Sequence, residues 1–273
     1  MTWEYETYQG YRIGFEVKQK LFEHQSEYQL IEVFETVQFG NILRLDGAWM
    51  VAEKLEKTYH EMIVHPALSV APNIRRVLVI GGGDGGTIRE VLKYSEVMQV
   101  DLVEIDRHVV RACKEHLSSI APNWNDPRLL VSYCDGVKFI ESVIEAYDVI
   151  IIDGSDPIGP AEGLFDQKFY YSCSKALKHN GILVTQGSSP RSMLENHLGV
   201  ISCMEKSFAH VFPYYQGQML YPGGVWSWVM ASQSVNHLLI NHKRLRKIID
   251  SLEIYNPFIH RASFAKPSYI RTQ

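Results

Sequence analysis

Residues 77–86 read Val77-Leu-Val-Ile-Gly-Gly-Gly-Asp-Gly-Gly86, four apolar residues running straight into a glycine-rich turn. The apolar run predicts a strand buried on both faces, and the glycines lead from it into a helix over Thr87–Tyr94. Gly81, Gly83 and Gly86 satisfy G-x-G-x-x-G. A residue without Cβ permits the tight turn and lets a ligand come close to the backbone. Glu104 closes the next apolar strand, Val100–Ile105, where a carboxylate can accept hydrogen bonds from both hydroxyls of a ribose. Glycines alone would indicate only a turn. Strand, turn, helix and acid together point to a nucleoside-containing ligand.

Asp84 sits inside the glycine turn and selects among such ligands. A pyrophosphate would be repelled there, whereas an S-adenosyl compound carries no phosphate. The same carboxylate repels the carboxylate of intact S-adenosylmethionine and attracts the bare ammonium left after decarboxylation. Asp135, in Cys134-Asp135-Gly136 after a third strand, either accepts the adenine amino proton or caps the helix that follows. Local sequence leaves both open.

Outward from this unit the chain alternates. Strands are predicted over Leu129–Tyr133, Tyr147–Ile152 and Gly181–Thr185, and helices over His108–Leu117, Val137–Ile144 and Phe169–Leu177. A Pro-Gly-Gly turn divides a β-rich stretch, Val211–Ser232, whose Trp226 and Trp228 either stack on a ligand or pack in an edge strand. A last helix is predicted over Asn236–Leu252, with Leu238, Leu245, Ile248, Ile249 and Leu252 near one face. Before the glycine turn, Arg12–Phe22 and Glu27–Val37 are β-rich. Ile42–Leu45 and Ala48–Val51 flank Asp46-Gly47, a type I′ hairpin dipeptide. Glu53–Ala71 reads as an amphipathic helix, bent or broken near Pro66. The expected architecture is α/β: a small N-terminal antiparallel β-domain (1–55), then a seven-stranded, mostly parallel, methyltransferase-like (Rossmann-type) domain (56–273).

Composition limits the partners. The 273 residues are 46% hydrophobic and 21% charged, with net charge −4. That excludes disorder and offers no bulk attraction to nucleic acid or an anionic membrane. No run approaches the ~18 apolar residues of a membrane helix, and the first nine residues lack a signal-peptide pattern. Four cysteines without a CxxC pair read as reduced thiols of a cytoplasmic protein. His60-Glu-Met-Ile-Val-His65 resembles a zinc-protease helix, but at ~100° per residue an i, i+5 pair stands roughly 140° apart, so no metal is expected. Lys243-Arg-Leu-Arg-Lys247 reads as a solvated helix face.

The other acidic motif, Asp153-Gly-Ser-Asp-Pro-Ile-Gly-Pro160, follows the fourth strand, and ligands bind beyond the carboxyl ends of parallel strands. A solvated Asx-turn is the plain alternative. Two acids in a proline-stiffened loop favour an anionic pocket suited to a polyamine. A primary amine has a pKa of about 10.4, so deprotonating it near pH 7.4 costs ~4 kcal/mol, which a carboxylate relay can share.

Taken together, the glycine turn, Glu104-Ile-Asp106, Asp135-Gly136 and the 153–160 loop resemble the polyamine aminopropyltransferase family, and within it the spermidine synthases. Glu27–Val33, Phe39–Gly47, Tyr59–Met62, Tyr221–Gly224 and Tyr255–Phe264 resemble that family's segments in order, so the likeness spans essentially the whole chain. It implies transfer of the aminopropyl group of decarboxylated S-adenosylmethionine, as co-substrate, to putrescine, giving spermidine and methylthioadenosine without metal or prosthetic group, in a homodimer or homotetramer. It implies Asp153 as proton acceptor with Tyr59 orienting or deprotonating the amine. Asp156, His60, Tyr221 and Gln186 would line the acceptor site, and Asp84 would hold the aminopropyl ammonium. Gln29, Glu104, Asp135, Gly136 and Pro160 would contact the methylthioadenosine part.

The chain departs from the family pattern at Leu55, usually acidic, at Lys57, usually aromatic, and at Met219-Leu220, usually Pro-Thr. These departures leave other acceptors open, namely cadaverine, agmatine or spermidine, with Leu220 narrowing or drying the amine pocket. A methyltransferase using intact S-adenosylmethionine and a non-catalytic nucleoside-binding protein are the rivals outside the family.

Overall fold

The computed structural model describes residues 2–8, 10–120, 124–155 and 163–270. The N-terminal sheet has five antiparallel strands in chain order: β1 (Thr2–Tyr8), β2 (Tyr11–Gln25), β3 (Leu30–Thr36), β4 (Asn41–Leu45) and β5 (Ala48–Ala52). Asp46 and Gly47 between β4 and β5 have φ of 47° and 85°. Both are positive, as a type I′ hairpin requires.

The larger sheet contains β6 (Arg76–Gly81), β7 (Gln99–Glu104), β8 (Leu129–Tyr133), β9 (Tyr147–Asp153), β10 (Leu177–Gln186), β11 (His210–Gly217) and β12 (Val225–Ser232). Their order is β11-β12-β10-β9-β6-β7-β8, with β6 to β10 parallel and β11 and β12 antiparallel. The seven-stranded, mostly parallel expectation holds. From β6 the chain runs outward through β7 and β8, then returns to the other side of β6 with β9. The strand ends part at that reversal, which is where such sheets bind ligands.

Both faces of the sheet are covered, which explains its continuous apolar strands. Val77, Val79, Val149 and Ile151 pack against α1 (Lys57–Val70) and α2 (Gly86–Leu92). On the N-terminal sheet, Ile31, Val33 and Leu43 meet Val109, Ala112 and Cys113 of α3 (Arg107–His116). Leu78, Ile80, Ile150 and Ile152 pack against α4 (Gly136–Glu141), α5 (Gln167–Ala176) and α6 (Leu194–Glu205). Helix α6 was not anticipated from sequence.

Three expectations are corrected. Helix α1 is continuous through Pro66 and buried at every position from Tyr59 to Val70, so it is not amphipathic. Pro66 cannot donate to the Met62 carbonyl, and the Tyr214 hydroxyl donates to it instead at 2.8 Å. The single C-terminal helix expected over 236–252 is broken into α7 (His242–Leu245) and a 3-10 turn (Ile249–Ser251), with α8 (Pro257–Ser263) following. Within the basic run, Lys243, Arg246 and Lys247 are exposed but Arg244 is buried. Its guanidinium donates to the Leu68 and Ala71 carbonyls at 2.7 and 2.6 Å, closing the end of α1.

Candidate active site

A cleft of about 950 Å³, counted to its open mouth, lies over the carboxyl ends of β6, β7 and β9. Gly81 and Gly83 form part of its wall. Gln29, Glu104, Asp135 and Gly136 stand toward the β7–β8 side, and Tyr59, Asp84, Asp153 and Tyr221 toward β9. The structure thus brings together ten of the residues singled out in the sequence.

On the β7 side, Glu104 Oε1 accepts the Asp106 N–H at 2.9 Å. Asp106 starts α3 by accepting the His108 N–H, and its other oxygen accepts from Ser26 (2.6 Å) and the Gln29 amide (3.2 Å). This ties the β2–β3 turn to the cleft and fixes Gln29. Burial, together with the charge of Asp106, pushes Glu104 up to about 7 against the pull of two backbone N–H groups. Asp135 takes the capping role: Oδ1 accepts the Val137 N–H at 2.9 Å at the start of α4, while the residue also faces the cleft.

Gly81 faces Asp153 across β6 and β9. At φ 80°, a Cβ on it would collide with the Asp153 carbonyl oxygen. Gly86, the third glycine of the motif, serves a different purpose from the one expected. A Cβ there would overlap the His60 imidazole, so Gly86 lets α1 and α2 pack together and does not line the cleft.

Asp153 is held at both oxygens. Oδ1 accepts the Tyr59 hydroxyl at 2.7 Å, and Oδ2 accepts the Thr87 hydroxyl at 2.6 Å. Burial and the neighbouring Asp84 charge raise its proton affinity above that of an ordinary carboxylate. Burial and Asp153 raise Tyr59 well above the usual phenol range, so it stays protonated and donates. Asp84 Oδ1 accepts the Gly86 N–H at 2.7 Å, and His60 Nε2 lies 3.2 Å from the same oxygen. Burial works against its charge, but His60 and that N–H outweigh it and lower the Asp84 pKa.

Several predicted residues stand elsewhere. His60 is buried behind Asp84. Gln186 lies behind Ser155, donating to its carbonyl at 3.4 Å, and accepts the Ser188 N–H at 2.8 Å. Neither lines the cleft. Asp156 and Pro160 lie outside the described residues. Leu220 does not narrow the cleft: it packs with Phe15, Phe34 and Trp49 in the core of the N-terminal sheet, with Leu55 against the same cluster. Strand β12 is interior, not an edge. Trp228 packs 5.7 Å from the Tyr59 ring and Trp226 4.7 Å from the Tyr221 ring, beneath the two cleft tyrosines.

Sequence reasoning missed Thr87, Glu56 and Arg89. Thr87 was detectable as the first side chain after the glycine turn, and Glu56 as the acid four residues before His60. The near-miss zinc motif resolves into two separate contacts. His60 faces Glu56 and Asp84, whereas His65 faces Glu90 and Tyr94, each at 2.9 Å.

Residues 56–241 match the family model for the spermine/spermidine synthase domain, and residues 2–53 that for the spermidine synthase tetramerisation domain. The chain is 42% identical to a polyamine aminopropyltransferase of Alkaliphilus metalliredigens (strain QYMF), covering 97% of this chain and 94% of that protein. It is 41% identical to one from Clostridium perfringens (strain SM101 / Type A), covering 95% and 93%. A solved spermidine synthase in complex with the transition state analogue AdoDATO matches with TM-score 0.96 and 33% identity, covering 98% of this chain and 93% of that one. The spermidine synthase from Thermotoga maritima matches with TM-score 0.92 and 32% identity over the same shares, 98% and 93%. With the sheet, its glycine turn and whole-length relatives in agreement, the chain belongs to the spermine/spermidine synthase family and is an enzyme of the polyamine aminopropyltransferase type.

Proposed function

We propose that this enzyme transfers the aminopropyl group of decarboxylated S-adenosylmethionine to putrescine, giving spermidine and methylthioadenosine. The observation that carries the reading is that Asp84, Asp153 and Glu104 face one cleft across a single glycine turn. In this reading Glu104 accepts the ribose hydroxyls, and Gln29, Asp135 and Gly136, with Pro160, contact the rest of the methylthioadenosine part. Asp84 holds the aminopropyl ammonium.

The neutral amine nitrogen attacks the carbon next to the sulfonium. The carbon–sulfur bond breaks, its electron pair stays on sulfur, and the amine proton passes to Asp153. A carboxylate with raised proton affinity suits that role, and a permanently protonated Tyr59 orients it without acting as base. Sulfonium is a good leaving group, so holding the two reactants in line supplies most of the acceleration. His60 and Gln186 act from behind the cleft wall, and Tyr221 and Asp156 complete the acceptor side. Of the departures from the family pattern, Leu220 is buried in the N-terminal core with Leu55 against it, while Leu55, Lys57 and Met219 line a second cavity and none of the four lines the main cleft. The chain is proposed to assemble as a homodimer or homotetramer through residues 2–53, in a reducing compartment such as the cytoplasm.

Asp84→Ser tests the donor assignment. The preference for decarboxylated over intact S-adenosylmethionine should fall about tenfold or more, because a like-charge repulsion disappears. An unchanged preference overturns it.

A further inference from the structure

Glu56 stands at the N-cap of α1, and its side chain accepts no backbone N–H of the first turn. Its side chain turns inward and is 3% exposed. Oε2 lies 2.6 Å from His60 Nδ1, and Arg89 grips both oxygens, Nη1 on Oε1 at 2.9 Å and Nη2 on Oε2 at 2.8 Å. Arg89 is itself held by Glu90 at 2.7 Å and by the Ile120 carbonyl at 2.5 Å. The other nitrogen of His60 faces Asp84, 3.2 Å from Oδ1 and 3.3 Å from Oδ2. Gly86 leaves room for the imidazole between the two. An unbroken line of contacts therefore runs Arg89–Glu56–His60–Asp84, from the interior to the cleft wall.

We propose that Glu56, acting through His60, is a positioning residue for donor recognition: it holds the Asp84 carboxylate in the one orientation that meets the ammonium of an aminopropyl donor. The inference rests on the reading of Asp84 given above. With a carboxylate at each ring nitrogen, only an imidazolium donates to both. Burial alone would discharge His60, but Asp84 and Glu56 outweigh it and raise it to about 10, while His60 and Arg89 overcome burial to bring Glu56 down to about 2. Without Glu56 the ring is free to shed a proton and turn a lone pair toward Asp84. Lys57, at a position the family usually fills with an aromatic residue, lies 3.6 Å from Glu56 and 3.7 Å from Glu90. Lys93 lies 2.6 Å from Glu90, so the acids of the cluster are balanced by cations.

The test compares two ligands on the full-length enzyme by titration calorimetry: decarboxylated S-adenosylmethionine, which carries the ammonium, and methylthioadenosine, which lacks it. Glu56→Gln should weaken the first about tenfold and leave the second within about twofold, with KM for the donor rising more than kcat falls. Asp84→Asn should give the same selective loss, and the double variant should lose no more than Asp84→Asn alone. Should Glu56→Gln not fold because Arg89 is left unpaired, Glu56→Gln with Arg89→Gln removes both charges and serves the same comparison. Equal weakening of both ligands by Glu56→Gln assigns it a merely structural role and overturns the proposal. A selective loss in Asp84→Asn but not in the Glu56 variants overturns the positioning role alone. No selective loss in Asp84→Asn overturns the donor reading beneath it.

Discussion

Gly81 and Asp153 are register partners across β6 and β9, and the Gly82 N–H donates to the Asp153 carbonyl at 2.8 Å. The glycine turn and the carboxylate proposed as proton acceptor are therefore built on adjacent strands with no room for a Cβ between them. Gly81→Ala must force them apart. It adds both the collision and an unfavourable positive φ, the latter worth about 1–3 kcal/mol. Methylthioadenosine binding and turnover should fall together, with a lower Tm. A variant with wild-type Tm and turnover would show that this contact is dispensable.

Asp153→Asn keeps the shape of the side chain and removes the proposed proton acceptor. Turnover should drop roughly 10²–10⁴-fold while methylthioadenosine binding changes little. Steady-state kinetics and ligand titration on one preparation check this; near-wild-type turnover would move the base elsewhere.

Glu104 is pushed up to about 7, chiefly by burial. A ribose is gripped best by the ionised carboxylate, so methylthioadenosine should bind more tightly as pH rises from 6 to 8. Glu104→Gln should bind weakly with no such slope. The stability sign runs the other way. A raised folded-state pKa contributes stability that is full below the unfolded value near 4.3 and is lost as pH rises through about 7. Glu104→Gln should therefore melt above the parent at pH 8, with the advantage gone at pH 4. Thermal melts at the two pH values decide it.

Glu61 is fully buried on α1, and its carboxylate accepts the N–H groups of Glu253, Ile254 and Tyr255 at 2.9, 2.9 and 2.8 Å. Glu61→Ala leaves three donors unpaired against the core and should cost roughly 2–4 kcal/mol in urea unfolding. A loss below about 1 kcal/mol would mean that water replaces the carboxylate.

The sheet and the cleft acids were legible because their signals are local. Alternation of apolar runs with helices, glycines at a strand end, and acids just past the strands each follow from a few neighbouring residues. What stayed hidden depends on distant partners. Pro66 predicted a break in α1 because nothing nearby announces that Tyr214 will serve the Met62 carbonyl. Arg244 looked solvated because its acceptors, the carbonyls of Leu68 and Ala71, lie more than 170 residues earlier. Gly86 looked like a ligand contact because its spacing is that of a ligand loop, and only the packing of α1 shows that an imidazole fills the space. Leu220 looked like pocket lining because it neighbours Tyr221. Leu220 is buried in the core of the N-terminal sheet, whereas Tyr221 packs against that core and also lines the cleft.

Mass-spectrometric analysis of the products bears most directly on the chemistry, with the purified enzyme given either decarboxylated or intact S-adenosylmethionine alongside a panel of diamines and triamines. Spermidine and methylthioadenosine in equal amounts, from the decarboxylated donor and putrescine and at the highest kcat/KM of the panel, are the predicted outcome. A methylated amine formed from intact S-adenosylmethionine, or no aminopropyl transfer to any amine, would contradict the account.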